Sequence, residues 1–304
     1  MAKIPICVDI PIPNLPTPLQ SIDDETTRRA GVRLYLKRDD LIHPTISGNK
    51  WRKLKYILAD ARRGGYQSLL TFGGARSNHL YATAAAGELL GLRTIGVVRG
   101  EEYREKDTET LRFCREHGMR IHAISRAEYR RKEEPEFLST LLARFDRPYL
   151  IPEGGACPMA LPGIRELVSE TIGQLGKRPD FFAVAAGTGT TAAGMLSFPD
   201  TQVLAFSSLK GGGFLREEIL RLSNRDNSCL ELFTDYHFGG YARHTPVLLD
   251  FIRRFEQRHQ VLLEHVYTGK MLFGLYDLMQ KDYFAAGTTV MALHTGGLQG
   301  RLSN

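Results

Sequence analysis

The sequence is short of the residues that build disulfide-linked or zinc-binding proteins. It holds four cysteines in 304 residues (Cys7, Cys114, Cys157 and Cys229), and no two of them form a Cys-x-x-Cys pair. A disulfide framework or a structural zinc site usually shows closely spaced cysteines, so we expect free thiols, no metal and a reducing compartment. The N-terminus also lacks the apolar core of a signal peptide, which predicts a cytoplasmic protein.

The sequence also lacks a stripe of positive charge. The net charge is +6, but acidic residues are interleaved with basic ones, as in residues 126–134. Such interleaving is typical of a solvated helical face rather than of a nucleic-acid surface. Residues 181–199 carry no charge, yet Gly187 and Gly189 interrupt them and favour a strand, a loop and a helix over a membrane span. Neither nucleic acid nor a membrane is expected as a partner.

The sequence does contain a regular alternation of short apolar runs and stretches with helical spacing. The apolar runs predict strands at residues 68–72, 94–98, 120–124, 181–185, 202–206 and 289–293. Helices are predicted at residues 50–63, 78–90, 108–117, 161–175, 214–222 and 246–259, with Gly64, Gly91 and Gly118 ending the first three. This alternation predicts an α/β fold of parallel sheets covered by helices, and a cluster of Gly and Pro at residues 152–158 indicates a domain boundary.

The first stretch with chemical meaning is Ser47-Gly-Asn-Lys50, a polar loop that brings a lysine to the first turn of a predicted helix. The positive end of the helix dipole disfavours the ammonium form of a lysine at that place. A lysine must be neutral to attack a carbonyl group, so the position suits a nucleophile. Taken alone, the same pattern is also typical of a surface lysine near a helix start.

The second stretch, residues 72–80, follows a predicted strand and precedes a predicted helix. Its glycines allow close backbone approach, and Ser77 and Asn78 can cap the helix. The N–H groups at such a helix start can bind a carboxylate or a phosphate. A plain helix cap explains the same residues equally well.

The third stretch, residues 185–192, combines Gly187 and Gly189 with three threonines, which suits a phosphate monoester. The same letters satisfy a loose dinucleotide fingerprint, which needs an acidic residue at the end of the next strand to hold a ribose. That strand runs instead into serines and Lys210. A phosphate cofactor is therefore favoured over NAD, and NADP with Lys210 near its extra phosphate is a weaker alternative.

Together these stretches resemble one family, the fold-type II pyridoxal-phosphate enzymes of the D-cysteine desulfhydrase and aminocyclopropane-carboxylate deaminase group. The matching motifs are Ser47-Gly-Asn-Lys-x-Arg-Lys-Leu54, Gly74-x-x-Ser-Asn-His79, Gly187-Thr-Gly-Thr190, Gly240-Tyr241 and Val266-Tyr-Thr-Gly-Lys270. They occur in the family's order, and five ordered matches are far more specific than any single one. The resemblance implies a two-domain fold similar to that of the tryptophan synthase beta subunit.

The resemblance implies pyridoxal 5′-phosphate as the cofactor. Lys50 would carry it as a Schiff base and shuttle the proton at the substrate's α-carbon, and Asn49 would hydrogen-bond its phenolic oxygen. Thr268 would face the pyridine nitrogen. The phosphate would be cradled by Gly187, Thr188, Gly189, Thr190 and Thr191. A bulky β-branched residue in place of Gly189 is therefore expected to weaken cofactor binding more than folding.

The resemblance also implies a small amino acid as the substrate. Its carboxylate would be gripped by Ser77, Asn78 and His79, and Ser77 would be a possible second proton carrier. Tyr241 and Tyr267 would line the substrate side. Residues 53–155 would form a smaller α/β domain and residues 1–52 with 156–304 a larger cofactor-binding domain, with the cofactor in the cleft between them. Relatives of this kind imply a homodimer.

Thr268 bears on which member of the family this chain resembles most. The deaminases that open a cyclopropane ring resemble one another in having Glu directly after the tyrosine, where this chain has Thr268. A neutral hydroxyl supports the pyridine nitrogen without fixing a proton on it, which suits β-elimination from D-cysteine or a similar amino acid to pyruvate and ammonia. Aminocyclopropane-carboxylate deaminase is the alternative. A non-catalytic cofactor carrier or sensor is disfavoured because the substrate-side residues are present.

Overall fold

Residues 14–302 are described by the computed structural model of this chain, and they divide into two compact units. The smaller unit comprises Pro44–Ile46 and Lys50–Ala160, and the larger one comprises residues 14–43, 47–49 and 161–302. Residues 1–13 of the expected larger domain, including Cys7, and residues 303–304 lie outside the described residues. The chain therefore passes from the larger to the smaller unit directly before Lys50.

Ten strands lie in the described part of the chain, and they form two sheets. They are β1 (Leu19–Ile22), β2 (Arg33–Lys37), β3 (Ser68–Gly73), β4 (Arg93–Arg99), β5 (Met119–Ile124), β6 (Tyr149–Ile151), β7 (Phe181–Ala186), β8 (Val203–Ser207), β9 (Leu230–Phe233) and β10 (Thr289–Leu293). The six predicted strands correspond to β3, β4, β5, β7, β8 and β10.

The eleven α-helices of the described residues include all six that the sequence predicts. They are α1 (Glu25–Ala30), α2 (Asn49–Arg63), α3 (Asn78–Leu90), α4 (Glu109–Glu116), α5 (Arg126–Arg130), α6 (Pro135–Ala143), α7 (Leu161–Leu175), α8 (Thr190–Leu196), α9 (Leu215–Ser223), α10 (Pro246–His259) and α11 (Thr268–Gln280). Gly91 ends α3 in a left-handed conformation with φ 66°, as predicted. Gly64 directly follows the last residue of α2, as predicted, and the left-handed residue there is Gly65, with φ 73°.

The larger unit contains a six-stranded sheet in the order β1-β2-β10-β7-β8-β9. β1 pairs with β2 in the antiparallel sense, and the other pairs are parallel. Successive residues of β7 face opposite sides: Ala183 packs in the apolar cluster that includes α10 and α11, and Phe182 packs in the one that includes α7, α8 and α9. A parallel sheet buried on both faces by helices confirms the predicted α/β fold.

The smaller unit contains a four-stranded parallel sheet in the order β5-β4-β3-β6. Phe72 of β3 packs against Tyr129 and Leu141, so α5 and α6 cover one apolar cluster. Val98 of β4 packs in a second cluster with Leu80 of α3 and with residues of α4. Both units thus place the C-terminal ends of parallel strands next to the loops that lead into helices, which is where sites form in α/β proteins.

Two further expectations concern residues 181–199 and the cysteines. Residues 181–199 fold into β7, a loop and α8, and no helix within residues 14–302 is long and apolar enough to cross a membrane. Cys114, Cys157 and Cys229 are free cysteines, and Cys114 is buried.

Candidate active site

Lys50 lies in the first turn of α2 and is half-buried. One turn later on the same face, Lys53 is 2% exposed, and its ammonium donates a hydrogen bond to the Gly154 carbonyl at 3.2 Å. Burial lowers the pKa of Lys53 well below its ordinary value, and the positive charge of Lys50 lowers it further. The first turn of α2 contains no acidic residue to offset these charges. Two ammonium groups this close repel each other, so the environment favours a neutral amine at one of the two lysines. A lysine nucleophile must be neutral.

His79 lies on α3 and is 3% exposed. Its Nε2 atom is 2.8 Å from the Thr71 hydroxyl oxygen, and that hydroxyl donates its own hydrogen to the Ile151 carbonyl at 2.8 Å. Thr71 must therefore accept from Nε2, which places the imidazole proton there and leaves Nδ1 as an acceptor. Burial lowers the pKa of His79 well below its ordinary value, and Lys50 and Lys53 lower it further. The neutral ring thus presents a buried lone pair at Nδ1, which has no partner among the described residues.

Ser77 is the N-cap of α3, and Asn78 is the first residue of that helix. The Ser77 hydroxyl oxygen accepts hydrogen bonds from the backbone N–H groups of His79 at 3.2 Å and Leu80 at 3.3 Å. The capping role that the sequence left open is therefore present. Because the oxygen accepts both bonds, the hydroxyl hydrogen of Ser77 takes no part in them and can be donated to a ligand.

The Ser47–Asn49 segment, directly before Lys50, belongs to the larger unit and lies against the loop that follows β10. Gly48 has φ 66°, and a Cβ atom there would overlap the Thr295 carbonyl group. Gly296 has φ 74°, and a Cβ atom there would overlap the Ser47 hydroxyl. Two backbones that approach this closely tolerate no side chain at either glycine, so the chain leading to Lys50 is fixed in place.

The loop at residues 187–191 connects β7 to α8 and contacts the Ser47–Asn49 segment. The side-chain amide of Asn49 donates a hydrogen bond to the Thr191 hydroxyl at 2.9 Å. The hydroxyls of Thr188 and Thr190 are 2.9 Å apart. The loop therefore presents several hydroxyl groups beside the residue that precedes Lys50, a donor set that suits a phosphate.

The two glycines of this loop have packing reasons that the sequence did not reveal. Gly189 has φ 73°, and a Cβ atom there would lie 2.6 Å from Cγ1 of Ile219. The expectation that a β-branched residue at Gly189 would weaken cofactor binding more than folding is therefore wrong, because backbone strain and the overlap with Ile219 both oppose folding. Gly187 faces Tyr267, where a Cβ atom would lie 3.0 Å from Cε1 of the ring.

Thr268 begins α11, is fully buried, and has its hydroxyl oxygen 3.3 Å from that of Thr295. The carboxylate of Glu264, 1% exposed, accepts hydrogen bonds from the backbone N–H groups of Val266 at 2.5 Å, Tyr267 at 2.8 Å and Thr268 at 2.5 Å. Burial raises the pKa of Glu264, and these hydrogen bonds offset only part of the rise. Glu264 therefore fixes the backbone that carries Tyr267 and Thr268.

Tyr267 and Tyr241 form an aromatic pair in the larger unit. Their ring centroids are 6.0 Å apart and the rings meet edge to face at 67°. Tyr241 is 38% exposed, whereas Tyr267 is half-buried beside Gly187. An exposed tyrosine packed on a half-buried one presents an apolar ring together with a polar hydroxyl.

Within the larger unit the predicted residues form one continuous set of contacts. Asn49 contacts Thr191, the Ser47–Asn49 segment contacts Thr295, Thr295 contacts Thr268, and Tyr267 contacts both the 187–191 loop and Tyr241. Lys50, Ser77, Asn78 and His79 belong to the smaller unit, where the charge of Lys50 acts on His79.

The sequence reasoning missed three residues of this region. Lys53 stood in the Ser-Gly-Asn-Lys motif but received no role, although its spacing of three from Lys50 places it on the same helix face. Glu264 was missed because α11 itself was not predicted. An acidic residue just before an apolar helical stretch was the available signal. Ser208 was noted only as a non-acidic residue after β8.

The residues of the region fit a phosphate-bearing ring cofactor. Ser208, fully buried, donates its backbone N–H to the carbonyl of Ala186, directly before the 187–191 loop. Its hydroxyl oxygen, like Nδ1 of His79, is a buried polar atom without a partner among the described residues. Buried polar groups are nearly always hydrogen-bonded, so each of these atoms marks a place for a ligand atom within its own unit.

A comparison with known protein families gives the assignment. The family described as "Pyridoxal-phosphate dependent enzyme" matches residues 11–296. The chain belongs to this family. The predictions of pyridoxal 5′-phosphate as cofactor and of the fold-type II architecture are confirmed, and the NADP alternative is discarded.

Individual relatives carry two activity names. A protein of Pyrococcus horikoshii named "Putative 1-aminocyclopropane-1-carboxylate deaminase" is 33% identical, covering 93% of this chain and 90% of its own. An Arabidopsis thaliana protein named "Bifunctional D-cysteine desulfhydrase/1-aminocyclopropane-1-carboxylate deaminase, mitochondrial" is 30% identical, covering 89% of this chain and 73% of its own. A solved structure described as an ACC deaminase homologue superposes with a TM-score of 0.79 at 32% identity, covering 93% of this chain and 90% of its own. The family resemblance inferred from the five motifs is confirmed.

Proposed function

We propose that this enzyme catalyses β-elimination from D-cysteine or a similar β-substituted amino acid, releasing pyruvate, ammonia and the leaving group. The observation that carries the proposal is the environment of Thr268. Its hydroxyl lies beside the neutral hydroxyl of Thr295, and the carboxylate nearest in the chain, Glu264, is occupied by three backbone N–H groups. A pyridine nitrogen facing Thr268 would meet a hydroxyl rather than an anion, and so would not be held in its protonated form.

The cofactor would be held by residues of the first and third matched motifs, with Thr268 of the fifth facing its pyridine nitrogen. Lys50 would bind it through its amine, Asn49 would hydrogen-bond its phenolic oxygen, and residues 187–191 would bind its phosphate. The contact between Asn49 and Thr191 supports this arrangement, because it joins the residue before the lysine to the phosphate loop. When bound, pyridoxal phosphate supplies an electron sink for the negative charge that develops at the α-carbon.

The proton at the α-carbon would be taken by the amine of Lys50, which must be neutral to act as a base. Lys53 lies on the same helix face, and the lowering of its pKa by burial and by Lys50 shows that this place disfavours two ammonium groups together. The Cβ–S bond then breaks, and the thiolate leaves with the bonding electron pair. Hydrolysis of the remaining enamine product yields pyruvate and ammonia.

The substrate carboxylate would be bound at the start of α3, with the Ser77 hydroxyl as a donor and Asn78 beside it. The tautomer of His79 limits what that ring can do, since its neutral Nδ1 accepts hydrogen bonds and cannot donate one. The backbone N–H of His79 already donates to the Ser77 hydroxyl oxygen, so a contact of His79 with the substrate carboxylate would use a protonated ring. Tyr241 and Tyr267 would line the substrate side.

The test is parallel kinetics on D-cysteine, β-chloro-D-alanine and 1-aminocyclopropane-1-carboxylate, with the parent, Thr268→Glu and the control Thr268→Ser. We expect the parent to eliminate from the first two and to open the ring poorly. Thr268→Glu should lose elimination rate about tenfold or more, which corresponds to a barrier higher by at least about 1.4 kcal/mol. Thr268→Ser keeps the hydroxyl and should stay near the parent. Efficient ring opening by the parent would overturn the proposal.

Ring opening of aminocyclopropane-carboxylate is the second candidate function. The relatives support it directly, because the Pyrococcus horikoshii protein carries that name and the Arabidopsis thaliana protein carries both names. The same kinetic comparison decides between the two candidates.

We also propose that the enzyme acts in the cytoplasm as a homodimer, on the strength of the family resemblance. Light scattering coupled to size exclusion should give a mass twice the 34.1 kDa of the chain.

A further inference from the structure

Lys270 is a buried lysine that the proposed reaction does not use. It lies in the first turn of α11, two residues after Thr268, and is 1% exposed. Its ammonium donates hydrogen bonds to the backbone carbonyls of His237 and Gly240, each at 2.8 Å. Burial lowers the pKa of Lys270 to about 8, although Glu264 acts in the opposite direction. A charge that is costly to bury and makes two well-formed hydrogen bonds indicates a specific structural task.

The two carbonyls belong to a tight turn at residues 237–240, which lies outside any helix or strand. The N–H of Gly240 donates to the His237 carbonyl at 3.0 Å, and the N–H of Gly239 donates to Nδ1 of His237 at 2.9 Å. Gly239 and Gly240 have φ 93° and 115°, conformations that favour glycine. The turn is thus closed by its own bonds, and Lys270 ties it to α11.

Tyr241 follows this turn directly, and Tyr267 lies one turn before Lys270. The ammonium of Lys270 hydrogen-bonds the carbonyl of Gly240, the residue directly before Tyr241. It therefore ties the backbone next to Tyr241 to the helix that begins directly after Tyr267, and these two tyrosines form the edge-to-face pair. We propose that Lys270 is a positioning residue that anchors the 237–240 turn to α11 and so sets Tyr241 against Tyr267. The inference rests on the proposed function only in taking these tyrosines as the substrate side.

The experiment uses Lys270→Met, which keeps the length of the side chain and removes both donors. Lys177→Met is the control, because Lys177 is an exposed lysine of the larger unit whose ammonium donates a hydrogen bond to the Thr289 hydroxyl at 3.3 Å. Hydrogen exchange of the peptide covering residues 236–243 is measured with and without cofactor, beside cofactor affinity and steady-state kinetics.

In Lys270→Met we expect exchange in this peptide to rise about tenfold, because the equilibrium constant for local opening of the turn should rise roughly tenfold. KM for the amino-acid substrate should rise by a similar factor, while kcat and cofactor affinity stay near the parent values. Lys177→Met should change none of these. Parent-like exchange and KM in Lys270→Met would overturn the inference.

Two controls keep the test decisive. If Lys270→Met does not fold, Lys270→Leu, which also removes the ammonium, is measured in its place, and parent-like exchange in that variant also overturns the inference. The exchange result is independent of the reaction. Faster exchange in a protein that fails to eliminate from D-cysteine would support the role of Lys270 and contradict only the proposed function.

Discussion

Lys37 in the larger unit and Lys53 in the smaller unit are both buried, yet their surroundings are opposite. The ammonium of Lys37 donates hydrogen bonds to the Glu170 carboxylate at 2.5 Å, the Gln174 side-chain oxygen at 2.5 Å and the Thr17 carbonyl at 2.7 Å. Lys53 makes one hydrogen bond, to the Gly154 carbonyl, and no ion pair among the described residues. Lys37 is thus a compensated charge, and Lys53 is an uncompensated one whose pKa falls.

The contrast extends beyond these two lysines. His79 resembles Lys53 in being buried with a lowered pKa, and its Nδ1 atom has no partner among the described residues. Asp24 resembles Lys37, since it is buried with several donors around it. The charge of Lys50 acts on both Lys53 and His79, whose pKa values are lowered. Perturbed, incompletely paired groups are typical of functional sites, and this distribution supports the candidate site independently of any motif.

Lys50→Ala is the strongest test of the candidate site to which Lys53 and His79 belong. We expect a loss of turnover of about a thousandfold or more, because the cofactor link and the main proton carrier vanish together. Cofactor should still bind through its phosphate. The control is Lys55→Ala on the same helix, which should remain active. Borohydride reduction followed by mass spectrometry should map the cofactor adduct to Lys50, and an adduct on Lys53 would invalidate the assignment.

Gly48→Ala tests whether the segment leading to Lys50 is as tightly fixed as the contacts indicate. The new Cβ would overlap the Thr295 carbonyl, and the backbone has φ 66°. We expect the free energy of unfolding to fall by about 4 kcal/mol, as for severe overpacking combined with backbone strain. Gly65→Ala is the matched control: its φ is 73° but no atom lies within 4 Å, so it should cost only about 1 kcal/mol. Equal losses in the two variants would show that the Gly48 contact does not matter.

Lys37→Met and Lys53→Met test the comparison itself. Lys37→Met removes the ammonium that donates to the Glu170 carboxylate and should lower the free energy of unfolding by about 3 kcal/mol. Lys53→Met removes a charge that nothing compensates, so the cofactor-free protein should lose less than about 1 kcal/mol. Urea unfolding of both cofactor-free variants measures the difference. A larger loss for Lys53→Met than for Lys37→Met would contradict our reading of the two environments.

The fold was predictable where a strand is apolar along its whole length. β3, β7, β8 and β10 are buried from end to end or nearly so, and all four were predicted from the sequence. The strands it missed are short or carry charge: β6 has three residues, β9 is the edge strand Leu-Glu-Leu-Phe, and β2 begins and ends with basic residues. α11 was missed because ten of its thirteen residues are buried, which removes the polar face that reveals an amphipathic helix.

The site was predictable as a set of motifs but not as a set of contacts. Lys50, Ser77 and Thr268 stand in recognisable stretches, so their identity was available from the sequence. The roles of Glu264 and Lys270 depend on which backbone groups reach them, and only the folded chain brings residues 237–240 to α11. The proton position on His79 likewise depends on Ile151, a residue 72 positions away in the sequence.

Asp24 provides the smallest expected effect and tests the compensated side of the comparison through pH. Burial by itself would raise the pKa of Asp24, but hydrogen bonds from His259, Tyr276 and the Thr27 N–H outweigh it, and the pKa falls well below its usual range. A carboxylate whose pKa is lower in the folded than in the unfolded state stabilises the fold fully above its unfolded pKa of about 3.9. This contribution is lost as the pH falls from there through the folded pKa.

Asp24→Asn should therefore lower the free energy of unfolding by about 1–2 kcal/mol at pH 7, and its difference in stability from the parent should narrow as the pH falls below about 4. Asp23→Asn is the control, because Asp23 is exposed and pairs only with exposed Arg28 among the described residues, so it should differ little from the parent at any pH. Urea midpoints of the three proteins at pH 7, 5 and 3.5 give the comparison, and a gap for Asp24→Asn that stays constant with pH would show that the carboxylate does not stabilise the fold through its charge.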